Sequence, residues 1–167
     1  LDLGVILPDD RPPREKRVAL IDWDDVRDPE TEEVHPVAAA WIADIGGYVE
    51  VSTSGKGLHQ FVIGGLRKRG KFIAPIDDEP FVGDDKPQVE IYDGGRHVAM
   101  TGQHVEGTGT GLVEGQTYID KLVTEYADAE KDAGHRRYDP NGDREVDADA
   151  FDSEVPTPEV GEYGGPS

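Results

Sequence analysis

An α+β fold with a largely antiparallel sheet backed by helices is the class this sequence predicts, and three observations lead there. Apolar runs of strand character recur between residues 3 and 101, with one segment of helical spacing among them and another after them. Residues 48–53 and 58–63 flank Ser54-Gly55-Lys56-Gly57, a hairpin signature. The order strand–helix–strand–strand–strand–helix lacks the strict alternation of a parallel βαβ array, which points to an antiparallel sheet.

Each element has its own reason. Leu3-Gly4-Val5-Ile6-Leu7 is a short apolar run closed by the turn signal Pro8-Asp9-Asp10, and Arg11-Pro12-Pro13-Arg14-Glu15-Lys16-Arg17 is basic and irregular. Residues 18–21 are continuously apolar, too unbroken for a one-sided strand, so this strand is expected at the centre of its sheet. Asp28-Pro29-Glu30-Thr31 makes a turn; Pro36 then opens a helix with Val37, Ala40, Trp41 and Ile45 on one face and Gly46-Gly47 as its stop. Residues 66–87 are polar and Pro-containing, expected to be a long loop with a short strand near Phe72-Ile73. Residues 89–92 and 97–101 read as strands around Asp93-Gly94-Gly95. After a Gly-rich connector, residues 116–129 show helical spacing at Tyr118, Ile119, Leu122, Val123 and Tyr126.

Composition bounds what such a chain can do. At 167 residues, 35% of them hydrophobic, it is expected to form one domain over residues 1–132. Residues 133–167, dominated by Asp, Glu, Pro and Gly, are expected to be a disordered acidic tail. The chain begins without Met, on what reads as mid-domain sequence, and is expected to be a fragment. With no cysteine there is no disulfide framework, thiolate zinc site or thiol nucleophile. No apolar stretch reaches the ~18 residues of a membrane span and no signal peptide is visible, so no membrane partner and a cytoplasmic location are expected.

The residues that could do chemistry lie in three places. Ala19-Leu20-Ile21-Asp22-Trp23-Asp24 is an apolar strand ending in two acids one residue apart, and in a strand residues i and i+2 share a face. Two like charges held together are costly without a cation between them. Asp22 and Asp24 therefore read as ligands for a hard divalent ion, Mg²⁺ or Mn²⁺, with Asp25 turned to the opposite face as a turn residue. Glu90, between Val89 and Ile91, is the expected third metal ligand, and Asp93 is its rival. In Ser52-Thr53-Ser54-Gly55-Lys56-Gly57-Leu58-His59 the hydroxyls of Ser52 and Ser54, free backbone N–H groups, Lys56 and His59 could form a nest for a nucleotide phosphate. The Walker spacing is absent and a hairpin, not a helix, follows. Arg96 could reach the same site from the neighbouring strand; His35 and His104 show no organised context.

Together these motifs resemble the archaeo-eukaryotic primase superfamily, most closely the primase–polymerase domains of phage and plasmid replication proteins, here of haloarchaeal type. That family is marked by a strand ending in Asp-x-Asp, a Ser-x-His-type hairpin and a third acidic strand, matched by Ile21-Asp22-Trp23-Asp24, Ser54-Gly55-Lys56-Gly57-Leu58-His59 and Val89-Glu90. The likeness runs from about residue 3 to residue 126. It implies an RRM-like catalytic sheet and template-directed nucleotidyl transfer in DNA replication. Asp22, Asp24 and Glu90 would hold the metals and, with His59, form the catalytic set; His59 would grip the phosphates of a nucleoside triphosphate. Single-stranded DNA template and primer are the implied partners, with Arg67-Lys68-Arg69-Gly70-Lys71 as a candidate contact, and a replicative helicase would lie on another segment or protein. Two departures stand out: the residues that usually precede the Gly4 strand, a small N-terminal subdomain, are missing here, and Glu90 stands where many members have Asp. A metal-dependent nuclease and a catalytically inactive nucleic-acid-binding module are the competing readings.

Charge is the remaining feature: 36 acidic against 17 basic residues give a formal net charge of −19, with Arg outnumbering Lys 10 to 7. Such a surface suits concentrated salt, where self-repulsion is screened. Raising KCl from about 0.1 M to about 1 M, which shortens the Debye length from ~10 Å to ~3 Å, is expected to raise the unfolding temperature. A fold fully stable at low salt would instead mark the acids as a solubilising surface.

Overall fold

A computed structural model describes residues 3–7, 12–68 and 70–128. The turn at residues 8–10, Arg69, and the boundary and acidic tail expected beyond residue 132 lie outside the described residues. The fold is α+β, with mostly antiparallel sheets and two helices.

The main sheet has six strands. Its central strand, β2 (Val18–Asp24), lies between β4 (Leu58–Ile63) and β6 (Gln88–Tyr92), both antiparallel to it. Outside them lie β3 (Val49–Val51) on β4 and β5 (Lys71–Pro75) on β6, again antiparallel. The loop expected over 66–87 thus carries a full five-residue strand, whose apolar Phe72 and Ala74 are buried. The Gly-rich connector holds β8 (Val113–Glu114), a two-residue strand parallel to β4 and too short to leave a periodic signal. Strands β1 (Leu3–Leu7) and β7 (Arg96–Met100) form a separate antiparallel pair.

Alternation along β2 divides the residues between two layers. Ala19, Ile21 and Trp23 point to one face and are buried with Val62, Val89 and Ile91 beneath both helices. Helix α1 (Pro36–Ile45) contributes Ala38, Ile42 and Ile45; α2 (Gln116–Glu125) contributes Ile119 and Leu122. Helix α2 is shorter than its sequence spacing predicts, with Tyr126 already at its C-cap. On the opposite face Leu20 packs with Phe61, Tyr92, Leu7 and Val98, so the β1–β7 pair lies on the start of β2 and leaves its far end uncovered by this cluster. Among the described residues no helix is long and apolar enough to cross a membrane.

One buried polar side chain joins the helix layer to the sheet. Gln60 accepts from the indole N–H of Trp23 (3.1 Å) and donates to the carbonyls of Ile42 (3.3 Å) and Gly46 (2.8 Å), at the end of α1. Helix C-termini leave carbonyls without intrahelical donors, and a side-chain amide supplies what water cannot reach. Replacing Gln60 with Leu strands the Trp23 indole N–H and the Gly46 carbonyl, while the Ile42 carbonyl keeps its bond from Gly46 N–H; each buried unsatisfied group costs about 1–3 kcal/mol. Gln60→Leu is expected to lower unfolding free energy by about 2–4 kcal/mol in urea titration, with an unchanged m-value. A shift within experimental error would show that the amide has no such role.

Candidate active site

Register brings together residues far apart in the chain. Asp22 lies directly opposite His59 of β4 on one side and Glu90 of β6 on the other. His59 in turn faces Glu50 of β3. Directly paired residues in antiparallel strands share a face, so Glu50, His59, Asp22 and Glu90 form one row across four strands. Asp24, two residues on from Asp22, shares that face and is opposite Gln88. The row lies on the helix-free side of the sheet, beside the Leu20–Phe61–Tyr92 cluster.

The polar atoms along the row are tied in sequence. The Nε2 of His59 is 3.7 Å from an Asp22 carboxylate oxygen, and its Nδ1 is 3.4 Å from Glu50. Glu50 also accepts from the Tyr48 hydroxyl (2.9 Å) and from the backbone N–H groups of Thr101 (3.1 Å) and Gly102 (3.0 Å). At the other end the Tyr92 hydroxyl donates to Glu90, and the Arg96 guanidinium stacks over the Tyr92 ring at 3.9 Å. Each outer carboxylate is thus held by a tyrosine two residues away on its own segment.

Burial and mutual repulsion raise the acids. The Asp22 carboxyl is pushed up to about 7, first by burial and then by the charges of Asp24 and Glu90, against the opposing effect of Arg96. Asp24 is also raised, chiefly by burial and then by Asp85, while the Asp25 N–H, His59 and Lys56 oppose the shift. Burial lowers His59, and its contact with Glu50 works the other way. Asp25 ends β2 in a left-handed turn with φ of 52°, an uncommon conformation for a residue other than glycine. Its carboxyl is pushed up to about 6 by burial, then by Asp24 and Asp85, with Glu90 contributing; Asp25 is the turn residue its sequence position suggested.

The hairpin turn differs from its expected form. The Ser52 hydroxyl accepts from Gly57 N–H (3.1 Å) and lies 3.1 Å from the Ser54 hydroxyl, which accepts from Lys56 N–H (3.2 Å). Gly55 N–H bonds the Ser52 carbonyl at 3.0 Å. The N–H groups of Gly55, Lys56 and Gly57 are therefore used to close the turn, and Ser52 is buried. Gly57 is sterically required, since a Cβ there would sit 2.8 Å from the Trp23 carbonyl oxygen. Lys56 lies 3.7 Å from Asp85. Asp93, the rival acid, accepts from Arg17 (2.8 Å) and from Leu66 N–H (2.9 Å), away from the row. His35 is buried against Asp77 at 3.2 Å, and His104 stacks on Tyr48 at 5.3 Å.

Glu50, Tyr48 and Tyr92 went unassigned in the sequence. Val49-Glu50-Val51 carries the same signature as Val89-Glu90-Ile91, an acid between β-branched residues on a buried strand. A hairpin closed at Ser52 and Gly57 also places residue 50 opposite residue 59.

The donor set suits a hard divalent ion: carboxylate oxygens, no thiolate, and an Asp22 that is costly to ionise without a counter-charge. As they stand, no three acidic or histidine side chains among the described residues converge closely enough to hold an ion, and Glu90 is bonded to Tyr92. The chain matches no family model, and no curated protein matches it.

The raised Asp22 carboxyl has a sign that can be tested. Below about pH 4 it is protonated in folded and unfolded chains alike; between about pH 4 and about 7 only the unfolded chain releases the proton, so stability falls as pH rises. Asp22→Asn is therefore expected to stabilise the divalent-free protein at pH 8 by on the order of 3 kcal/mol, a gain that fades toward pH 4. Urea unfolding at both pH values measures this, and a variant less stable than the parent at pH 8 would contradict it.

Proposed function

We propose that this chain is the catalytic domain of a metal-dependent DNA primase–polymerase, catalysing template-directed nucleotidyl transfer in replication. The observation that carries the reading is the row itself: Asp22 is registered between His59 and Glu90, with Asp24 on the same face. The sheet order and its helix-backed face support an RRM-like reading of the fold.

In this reading Asp22, Asp24 and Glu90 hold Mg²⁺ or Mn²⁺. Such ions, when bound, activate the attacking hydroxyl and neutralise charge developing on the leaving pyrophosphate. His59 donates to the phosphates of the incoming nucleoside triphosphate. Lys56 and Arg96, the one acting on Asp24 and the other on Asp22, add positive charge beside the acids. Ser52 and Ser54 act by closing the turn that presents Lys56. Lys71, exposed on β5 and paired in register with Tyr92, belongs to the basic run 67–71 proposed to contact a single-stranded template or primer. Work in the cytoplasm, in concentrated salt and beside a replicative helicase, completes the reading.

A catalytically inactive nucleic-acid-binding module is favoured by one observation, the absence of a converged ligand set among the described residues. A nuclease would use the same acids without need of a triphosphate contact at His59.

Labelled-nucleotide extension on a primed single-stranded template, in high salt with Mn²⁺, separates the three. Incorporation is expected, and Asp22→Ala and Asp24→Ala should each reduce it at least about a hundredfold with the circular dichroism spectrum unchanged. Incorporation retained in both variants refutes the assignment. Template degradation in place of extension indicates the nuclease, and binding with neither reaction indicates the inactive module.

A further inference from the structure

The carboxylate of Glu50 has no solvent exposure, yet none of the roles above uses it. Four groups surround it: the Tyr48 hydroxyl and the Gly102 N–H on Oε2, the Thr101 N–H and His59 Nδ1 on Oε1. Two of these donors are consecutive backbone N–H groups, and Gly102 has φ of 67°, so the chain at 101–102 forms a small anion nest with Glu50 as its occupant. The segment carrying the nest is fastened to β3 on either side of Glu50. Val51 N–H bonds the Gln103 carbonyl, and Val105 N–H bonds the Val49 carbonyl, each at 2.9 Å.

An ionised carboxylate only accepts hydrogen bonds. Facing such an acceptor, the imidazole nitrogen turned toward Glu50 is the one placed to carry a proton, and the other nitrogen donates to a phosphate only in the imidazolium form, where both ring nitrogens carry protons. That nitrogen, Nε2, is the one facing Asp22 at 3.7 Å. Phe61 meets the ring edge-on at a centroid distance of 6.4 Å and helps keep it in this plane.

We propose that Glu50 is a positioning residue for His59, holding Nδ1–H toward β3 so that Nε2 is presented to the ligand on the acidic face. This deepens the proposed function and rests on it in one respect: the ligand presented to Nε2 is the phosphate chain of a nucleoside triphosphate. Without Glu50 the imidazole can rotate by half a turn or change tautomer, and its contact with the phosphates becomes one arrangement among several. The Glu50–Tyr48–Thr101–Gly102 cluster also ties β3 to the end of β7, so a purely structural role must be told apart from positioning.

Two measurements on the full chain do so. In ¹⁵N–¹H spectra of the wild-type imidazoles, His59 is expected to carry a proton on Nδ1, whether or not Nε2 is also protonated; a bare Nδ1 overturns the proposal without recourse to any variant. Binding of a nucleoside triphosphate with Mn²⁺ is then compared in Glu50→Gln, His59→Ala and the double variant. Glu50→Gln is expected to weaken binding about tenfold or more, and the double variant to bind no more weakly than His59→Ala alone. A Glu50→Gln loss that persists in full without the imidazole assigns Glu50 to the fold and overturns positioning. If His59→Ala leaves triphosphate binding unchanged, the phosphate reading of His59 fails instead, and the imidazole spectrum decides for Glu50 by itself. Should Glu50→Gln not fold, Tyr48→Phe, which removes one donor to Glu50, replaces it in the same cycle.

Discussion

Antiparallel register between β2 and its two neighbours is the constraint on which everything polar in this molecule depends. Side chains alternate between faces with a period of two, so a slip of one residue would bury Asp22 under the helices and expose Ile21 and Trp23. The helix-side core prevents that slip. Ala19, Ile21 and Trp23 are fully buried against α1 and α2, and Gln60 ties Trp23 to the end of α1. Packing on one face therefore determines chemistry on the other. The acids stay aligned because the apolar residues between them have nowhere else to go.

Holding that many carboxylates together is unfavourable, and the structure offsets the cost with donors rather than with cations. Glu50 accepts from three donors and faces His59 Nδ1 besides, and Glu90 is bonded by Tyr92. Asp22, between them, has neither a lysine nor an arginine bonded to it and is the acid raised to about 7. The cost of the row thus falls most heavily on Asp22. Arg96 and Lys56 offset only part of the cost, the first at Asp22 and the second at Asp24.

The β1–β7 pair gives this face its shape. Leu7 and Val98 cover Leu20, Phe61 and Tyr92 at one end of the sheet. The other end is bordered by the 52–57 turn and the left-handed turn at Asp25, with Arg27 joining them through a 2.9 Å bond to the Gly55 carbonyl. A ligand lying along the row would thus have an apolar wall on one side and charged turns on the other.

Much of this was legible in the residues themselves, because local patterns report local geometry. The strand at 18–24, the helix opened by Pro36, the 48–63 hairpin and the shared face of Asp22 and Asp24 all follow from periodicity and turn chemistry. Strand β8 and the extent of β5 did not, since two residues carry no period and edge strands carry little hydrophobic signal. Nor did the inward use of the hairpin N–H groups, because sequence shows which donors exist and not which acceptors reach them first. The alignment of Glu50, His59, Asp22 and Glu90 was decided by tertiary structure alone. Those four residues come from four strands, and only pairing across the sheet sets which of them stand opposite one another.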